Sequence, residues 1–514
     1  MRGDRQRALR LLNVVFIVCV QAYVVEASQQ GSFAVPVRRM PAARRGRLLQ
    51  EANAPATPNA TVVGVTGSTY VNSMEMALEL AGGQRFYLEI DTGSVPTYLT
   101  CGARTQGSYN YEKSADFQRL NCTARAEDAA LCTAIHRADC QSDGTCGYSV
   151  HYLGNDSSVG YVVRDKIFFR GALSDTVIAF GCDTSVENWM SKYRRIDGLV
   201  GFGHGSYTFH AQLATAGTIN QNVFGLCNAG FESPLALVTL GKFDFRDDMP
   251  VLGQTPLLRG GQWATRQDLA VRTFRWVLGD EVVAGSSNVD TVLDSGTMHT
   301  YVPTAMYTDF KHLLEAAVLK AGLTVITGTN EWLPPWIDSE YDICYTGSRT
   351  WNTETLLQQF PKLTIHYTGN MTLNLFPQNY LFRHSNRHAF CLGIFDGMHG
   401  HPSFSANIWW GILLGQNTLQ DTFVEFDMDN YQVNMAATNC AALRKKYTKA
   451  LPSGSDVFVQ LLVALGAWLF LAWGMRLVIR RARTKHKRMG WRRLEDELDT
   501  QIEMGGVTQS RDIE

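Results

Sequence analysis

The chain has 514 residues, of which 45 % are hydrophobic, and its 47 basic and 48 acidic residues leave a net charge of −1. This length is sufficient for two or more domain-sized hydrophobic cores. Because the chain is nearly neutral overall and its body lacks interleaved basic and aromatic residues, nucleic acid is not expected as a partner.

The N-terminus has the layout of a secretory signal peptide. Arginines lead into an apolar run from Leu11 to about Val25, and small residues follow at Ala27 and Ser28. A basic start, an apolar middle and small residues at the end predict cleavage after residues 1–27. A short first membrane anchor is the alternative that the same pattern allows.

Residues 28–61 are predicted to be a propeptide or a flexible leader. The segment is rich in Pro, Ala and Arg and has little hydrophobic periodicity. Its residues 44–47, RRGR, offer a dibasic processing site. An unprocessed, solvated linker explains the same charges equally well.

From about residue 62 to residue 440 the sequence predicts a β-rich body. Short apolar or alternating runs are separated by Gly, Asn, Asp and Ser. One helix is predicted to begin at Pro303, with an apolar face made of Met306, Phe310, Leu313, Leu314 and Val318. Strands and helices do not alternate, so a doubly wound nucleotide-binding fold is not expected.

Two apolar strands run into nearly the same turn. The first ends at Asp91 of DTGS (91–94), and the second ends at Asp294 of DSGT (294–297). A single copy would be explained as a turn cap, since Asp, Ser, Thr and Gly all favour turns. A second copy favours a functional pair.

Each turn is followed later by two bulky apolar residues and a glycine, in IDGLVG (196–201) and WGILLG (410–415). The body therefore reads as a duplicated half-protein. A pseudo-two-fold axis between the halves would bring the two turns together at one interface.

Two carboxyl groups at such an interface are suited to acid–base catalysis. Like charges in a partly dehydrated cleft cannot both ionise cheaply, so Asp91 and Asp294 are expected to share a proton. One then acts as general base on a water molecule, and the other polarises a substrate carbonyl. The neighbours expected to position this pair are Thr92, Gly93, Ser94, Ser295, Gly296 and Thr297.

The cysteines favour disulfides. Removal of Cys19 leaves ten of the 11, in a compartment that permits disulfide formation. Six lie in the first half and lack the paired spacing of a zinc site: Cys101, Cys122, Cys132, Cys140, Cys146 and Cys182. No metal site or cofactor is predicted. Four N-glycosylation sequons begin at Asn59, Asn121, Asn155 and Asn370.

Residues 457–479 are predicted to be a transmembrane helix, because residues 457–475 carry no formal charge and nearly reach the ~20 residues that span a bilayer. The basic residues that follow place the tail, 480–514, in the cytosol. Residues 442–456 would be a juxtamembrane stalk. A single-pass type I membrane protein of the secretory pathway is therefore predicted, in the endoplasmic reticulum, Golgi, endosome or cell surface, with a lumenal or extracellular body.

The four motifs together resemble those of the pepsin-like aspartic peptidases, and the resemblance covers roughly residues 62–440. It implies an all-β, bilobal fold with a central cleft, with lobes over residues 62–255 and 256–441. It also implies an endopeptidase that acts on proteins or peptides, and a monomer is expected.

The resemblance further implies a β-hairpin flap whose tyrosine closes over the substrate. Tyr152 is the best match and Tyr148 is the competing candidate, although either could be a core aromatic. The sequence departs from the family pattern at Tyr98, where a tryptophan is common, and at Gln416, where an aspartate is common. The flap reads YLGNDSS instead of the usual Y-G-x-G-S.

The cysteines also resemble particular branches of the family. The six in the first half are similar to the insert of nepenthesin-like enzymes and plasmepsin V. The surroundings of Cys227 and the late Cys440 look like memapsin (beta-secretase) and imply that these two pair. Cys344 and Cys391 resemble the general pair of the C-terminal lobe.

Two further hypotheses remain open. Arg47, Leu49 and Glu51 match the R-x-L-x-E sites of plasmepsin V-like peptidases, so self-processing after Leu49 is one hypothesis and a solvated charge run is the other. A catalytically silent lumenal binding or sorting receptor with the same fold is the alternative function. The presence of both aspartates and their hydroxyl neighbours favours the enzyme.

Overall fold

The structure is a computed structural model that describes residues 33–39, 74–102, 108–135, 137–152, 157–168, 176–185, 197–229, 235–242, 253–264, 266–327, 343–384, 388–397, 411–447, 473–477 and 480–481.

Strands dominate the described chain, as the sequence predicts. Those of the first half are β1 Phe33–Arg39, β2 Met74–Leu80, β3 Gln84–Asp91, β4 Tyr98–Thr100, β5 Gln118–Arg119, β6 Ala138–Cys140, β7 Cys146–His151, β8 Ser157–Phe168, β9 Thr176–Asp183, β10 Gly198–Gly201, β11 Val223–Asn228 and β12 Leu235–Leu240. Those of the second half are β13 Gly253–Pro256, β14 Ala270–Leu278, β15 Glu281–Val282, β16 Val289–Leu293, β17 Thr300–Val302, β18 Thr324–Thr327, β19 Ile343–Thr346, β20 Leu363–Tyr367, β21 Thr372–Leu375, β22 Leu381–Arg383, β23 Ala389–Leu392, β24 Ile394–Asp396, β25 Ile412–Leu414, β26 Thr422–Asp427 and β27 Gln432–Ala437.

Within the described parts of the chain the helices are few and mostly short. The α-helices are α1 Ala126–Ala134, α2 Phe209–Thr215, α3 Thr304–Lys320, α4 Thr353–Leu357 and α5 Cys440–Tyr447, and 3₁₀ turns cover Ala81–Gly83, Tyr111–Lys113, Gly261–Trp263, Thr368–Asn370 and Pro377–Asn379. Helix α3 is the one that the sequence predicts, with Pro303 as its N-cap. The other four were not predicted, because stretches of five to nine residues are too short to show a helical repeat.

Among the described residues, fifteen strands form one large sheet in the order β13-β27-β26-β11-β12-β1-β2-β3-β10-β4-β9-β8-β7-β6, with β5 against β8. Eight more form a second sheet in the order β21-β20-β14-β16-β25-β17-β24, with β15 against β14. The remaining four are ordered β18-β19-β23-β22.

The internal repeat of the sequence is a repeat of strand pairing. Strand β3 runs parallel to β10, which is antiparallel to β4, which is parallel to β9. In the second half, β16 is parallel to β25, which is antiparallel to β17, which is parallel to β24. Each aspartate turn therefore follows a strand whose parallel neighbour comes from IDGLVG or WGILLG.

The two halves share a sheet where β11 pairs with β26, in the register Val223↔Asp427 to Cys227↔Phe423. The disulfide between Cys227 and Cys440 ties α5 to the same place. Apolar side chains of both halves pack into a common core around these strands. The described residues between 33 and 447 accordingly belong to one compact unit.

The structure differs from the predicted domain organisation in two details. Residues 33–39, placed in the leader by composition, form β1 between β12 and β2. Alternating Phe33, Val35 and Val37 are the period-two signal that the Pro and Arg content concealed. The predicted lobe boundary at 255/256 falls inside β13, which pairs with β27.

A second unit begins at Lys449. Within the described part of the chain, no helix combines the length and the apolar character needed to cross a bilayer. Most of the predicted span 457–479 lies outside the described residues, as do residues 1–27 and the hypothetical R-x-L-x-E site.

Candidate active site

The two aspartate turns meet and are held together by hydrogen bonds between the halves. Thr92 N donates to Ser295 Oγ at 3.0 Å, and Ser295 N donates to Thr92 Oγ1 at 2.8 Å. The two hydroxyls then donate to the opposite strands, Thr92 to Leu293 O at 2.7 Å and Ser295 to Ile90 O at 2.8 Å. These four bonds satisfy the hydroxyls and fix the separation of the turns.

Two glycines allow each carboxyl group to lie against the opposite backbone. A Cβ atom on Gly93 would be 2.8 Å from Asp294 Oδ1, and one on Gly296 would be 2.6 Å from Asp91 Cγ. Real Cβ atoms do not approach other atoms this closely. Asp91 and Asp294 therefore lie face to face, as the duplicated turns predict.

The two carboxyl groups accept the same kind of bond at Oδ1, from a glycine N–H, and differ at Oδ2. Gly93 N donates to Asp91 Oδ1 at 2.8 Å, and Gly296 N donates to Asp294 Oδ1 at 2.8 Å. Thr297 Oγ1 donates to Asp294 Oδ2 at 2.6 Å.

The contact predicted for Ser94 is weaker than that of Thr297. Its Oγ is buried and makes no well-formed hydrogen bond among the described residues, yet a weak hydrogen bond from its side chain lowers the pKa of Asp91. The positions of Thr92, Gly93, Ser295, Gly296 and Thr297 agree with the supporting roles that the sequence suggests.

Burial and mutual repulsion make this pair hard to ionise fully. Asp91 is 6 % exposed and Asp294 is 8 % exposed. Burial raises the pKa of Asp91, and the charge of Glu89 raises it further. Burial and the charge of Asp91 raise the pKa of Asp294 to about 8. A hydrogen bond between the carboxyls lowers the pKa of Asp91 and raises that of Asp294, so the buried pair holds one proton jointly.

Comparisons with known proteins agree with this geometry. Two family models match, "Xylanase inhibitor N-terminal" over residues 78–241 and "Xylanase inhibitor C-terminal" over residues 277–436. An aspartic proteinase of Oryza sativa subsp. indica is 25 % identical over 399 residues, covering 70 % of this chain and 88 % of the relative. Aspartic proteinase nepenthesin-2 of Nepenthes gracilis is 23 % identical over 403 residues, covering 74 % and 81 %.

The chain belongs to the pepsin-like aspartic peptidases. The fold agrees, since the crystal structure of an aspartic proteinase from Irpex lacteus superposes with a TM-score of 0.52 at 15 % identity, covering 72 % of this chain and 95 % of that one. The peptidase is accordingly a hydrolase of the aspartic type.

The two candidate flap tyrosines of this peptidase have different surroundings in the structure. Tyr152 follows β7 in the β7–β8 hairpin, and its ring centroid lies 6.3 Å from that of Tyr98. Burial, followed by the charges of Tyr98 and Asp91, raises the pKa of Tyr152 well above its usual value. Tyr148 packs in the interior, where its hydroxyl is 2.9 Å from Ser158 Oγ. Tyr152 is therefore the tyrosine that lies near the aspartate pair.

Two supporting residues of the peptidase were not identified from the sequence. Gln416 Nε2 donates to Ser295 O, which ties the residues that follow β25 to the second turn. Asp197, in IDGLVG, accepts from Tyr87 N at 2.7 Å and so braces the strand that leads to Asp91. The motif positions were the available signal, but a motif does not say which backbone group a side chain reaches.

All ten body cysteines of the peptidase are paired. The bridges are Cys101–Cys182, Cys122–Cys140, Cys132–Cys146, Cys227–Cys440 and Cys344–Cys391, the last two being those implied by the resemblance. The sequon residues Asn121 and Asn370 are exposed, whereas Asn59 and Asn155 lie outside the described residues.

Proposed function

We propose that this chain is an endopeptidase that uses Asp91 and Asp294 to add water to a peptide bond. The observation that carries the proposal is the reciprocal bonding of Thr92 and Ser295, which joins the two turns and sets their carboxyl groups against each other. Groups held in this way need little reorganisation during the reaction.

The single proton that the pair shares gives the two carboxyls complementary roles. The ionised member, Asp91 in this scheme, takes a proton from a water molecule between them while the water oxygen attacks the carbonyl carbon. Protonated Asp294 donates a hydrogen bond to the carbonyl oxygen, on which negative charge develops. Asp91 then gives its proton to the amide nitrogen, the C–N bond breaks, and a carboxylic acid and an amine leave.

We further propose a membrane-anchored peptidase with a lumenal body that acts on proteins of the secretory pathway. The support comes from the sequence, in the signal-like residues 1–27, the uncharged run 457–475 and the basic residues after it. Five disulfides fit an oxidising compartment. Closure of Tyr152 over a bound peptide belongs to the same proposal.

The test is cleavage of a peptide library from pH 4 to pH 8 by the wild-type protein, with and without pepstatin, and by Asp91→Ala and Asp294→Ala. We expect each substitution to abolish cleavage. Circular dichroism of both variants controls for the fold. Cleavage that both variants retain would contradict the proposed catalytic pair.

A catalytically silent binding protein is the second candidate. The names of the two matching family models refer to xylanase inhibitors, and inhibition does not require an aspartate pair. The complete pair and its hydrogen bonds favour the enzyme. Absence of cleavage by the wild-type protein across this pH range would favour the binding protein.

A further inference from the structure

The peptide group between Ser295 and Gly296 joins Asp294 to a buried side chain on its other side. Its N–H belongs to Gly296 and donates to Asp294 Oδ1 at 2.8 Å. Its carbonyl belongs to Ser295 and accepts a hydrogen bond from Gln416 Nε2. Because a peptide group is planar and rigid, a side chain that fixes the carbonyl oxygen also fixes the N–H that points at the carboxyl of Asp294.

Gln416 is in turn contacted by Asn228, the last residue of β11. Asn228 Nδ2 donates to Gln416 Oε1 at 3.4 Å. The two residues are 3 % exposed, for Asn228, and 2 % exposed, for Gln416. Both line one cavity, whose other lining residues in the described chain are uncharged, among them Met74 and Leu226. In such surroundings hydrogen bonds are strong and consecutive ones polarise one another. Three amide groups therefore donate in one direction, toward Asp294.

The corresponding residue of the first half cannot make this bond. A glycine N–H donates to the aspartate Oδ1 in both turns. The residue after IDGLVG, however, is Phe202, whereas Gln416 follows WGILLG. A phenylalanine side chain has no N–H to donate, and Phe202 packs in the hydrophobic core. The side chain after the motif thus supports Asp294 but cannot support Asp91 in the same way.

Stability alone does not explain an asparagine at position 228. Asn228 Oδ1 is buried and has no hydrogen-bond partner among the described residues. A buried polar atom without a partner destabilises the folded state, and an apolar side chain of similar size would avoid this cost. The amide at this position therefore calls for a role other than packing, and its replacement by leucine should still allow folding.

We propose that Gln416 and Asn228 are positioning residues for Asp294, which hold the peptide N–H on its carboxyl and so set the pH range over which the pair keeps its single proton. The proposal rests on the proposed peptidase function. Besides this N–H, the carboxyl of Asp91 and the hydroxyl of Thr297 act on Asp294. The N–H donates to the ionised carboxyl and lowers its pKa. Loss of the amides behind it should therefore raise the pKa of Asp294.

Gln416→Met tests the proposal, because methionine has a similar length and no N–H. The backbone bond from position 416 to Thr297 O, 2.8 Å long, does not involve the side chain and should persist. We expect kcat for a peptide substrate to fall about tenfold, with KM little changed. The basic limb of kcat/KM should move to higher pH by about 0.3 to 0.7 units. Cleavage by the folded variant across the pH range measures both effects.

A second variant and a control separate the chain of amides from general packing. Asn228→Leu removes the first amide and leaves Gln416 in place, so the basic limb should move in the same direction by a smaller amount. The double variant should move it no further than Gln416→Met alone, because the chain is already interrupted. Asn379→Leu is the control. Asn379 is a buried amide that bonds the same segment at Gln420 O, 2.7 Å away, so its loss should lower stability without moving the basic limb.

Three outcomes would overturn the proposal. The first is a basic limb that stays in place in Gln416→Met or, should that variant not fold, in Asn228→Leu. The second is a pair of shifts that add in the double variant, since independent effects add. The third is an equal shift in Asn379→Leu, which would indicate a general structural effect. Cleavage that still depends on Asp294 in any of these cases would leave the proposed function intact and remove only this inference.

Discussion

Thr92 and Ser295, 203 residues apart in the chain, each donate a backbone N–H to the hydroxyl of the other. The same hydroxyls donate to Leu293 O and Ile90 O. The contact is buried, so every bond lost there leaves a polar group without water. The junction between the halves and the position of the aspartate pair consequently depend on the same two side chains.

Thr92→Val should weaken the junction between the halves and disturb the position of the aspartate pair. The substitution keeps the shape but leaves Ser295 N and Leu293 O without this partner, which should lower the free energy of unfolding by about 2 to 5 kcal/mol. Urea denaturation measures the change. Thr308→Val, at an exposed position of α3, is the control. Equal midpoints for wild type and Thr92→Val would show that the bonds contribute nothing to stability.

Gly296→Ala should inactivate the enzyme. The new methyl group would overlap the carboxyl of Asp91 and displace it, and displacements of about 1 Å can cost about a hundredfold in rate. Peptide cleavage by the folded variant measures the effect. The control is Gly205→Ala, because its methyl group would have no neighbour nearer than 3.5 Å. Activity retained by Gly296→Ala would mean that the turns are farther apart than described.

The pH profile should report the aspartate pair. Activity needs one proton on the pair, and the pKa of Asp294 is raised to about 8, so kcat/KM should fall as pH rises through about 8. Thr297 donates to the ionised form and lowers the pKa of Asp294. Thr297→Val should therefore raise this pKa and move the basic limb to higher pH.

The pH dependence of kcat/KM in Ser94→Ala is the matched comparison for Thr297→Val. Ser94 lowers the pKa of Asp91, so its removal should move the acidic limb to higher pH. The basic limb should change less than in Thr297→Val. A basic limb that moves to lower pH in Thr297→Val would contradict the role given to this hydroxyl.

Asp197 should make stability depend on pH. Burial raises its pKa to about 6, above the ordinary value of about 3.8 that it regains on unfolding. Below both pKa values Asp197 is protonated in the folded and the unfolded state, so the raised pKa has no effect on stability. Between pH 4 and 6 Asp197 loses its proton in the unfolded state first, and the free energy of unfolding falls by up to about 3 kcal/mol.

Asp197→Asn cannot ionise, and its side-chain oxygen can still accept from Tyr87 N. Its melting temperature should therefore exceed that of wild type at pH 7.5 and approach it at pH 4. Differential scanning calorimetry at both pH values measures the difference, with exposed Asp280→Asn as the control. An equal offset at both pH values would rule out ionisation as the cause.

Individual helices and strands show how much of the fold the sequence predicts. Helix α3 was predictable because its apolar face repeats over 17 residues. Helix α1, with nine residues, has too few turns for such a repeat to emerge. Strand β1 was missed because composition was given more weight than the alternation of three apolar residues. The meeting of the aspartate turns was predictable, since two copies of one turn have a simple symmetric arrangement.

Local patterns in the sequence were enough to predict the strand-rich body, the two aspartate turns and the repeat that relates them, because alternation and turn chemistry are local properties of the chain. Only the tertiary structure paired the six cysteines of the first half and showed that Tyr152, not Tyr148, lies near Asp91. It also placed the Thr297 hydroxyl 2.6 Å from Asp294 Oδ2. The cysteine pairing and the position of Tyr152 depend on distances between residues far apart in the chain, which only the packing of the strands sets.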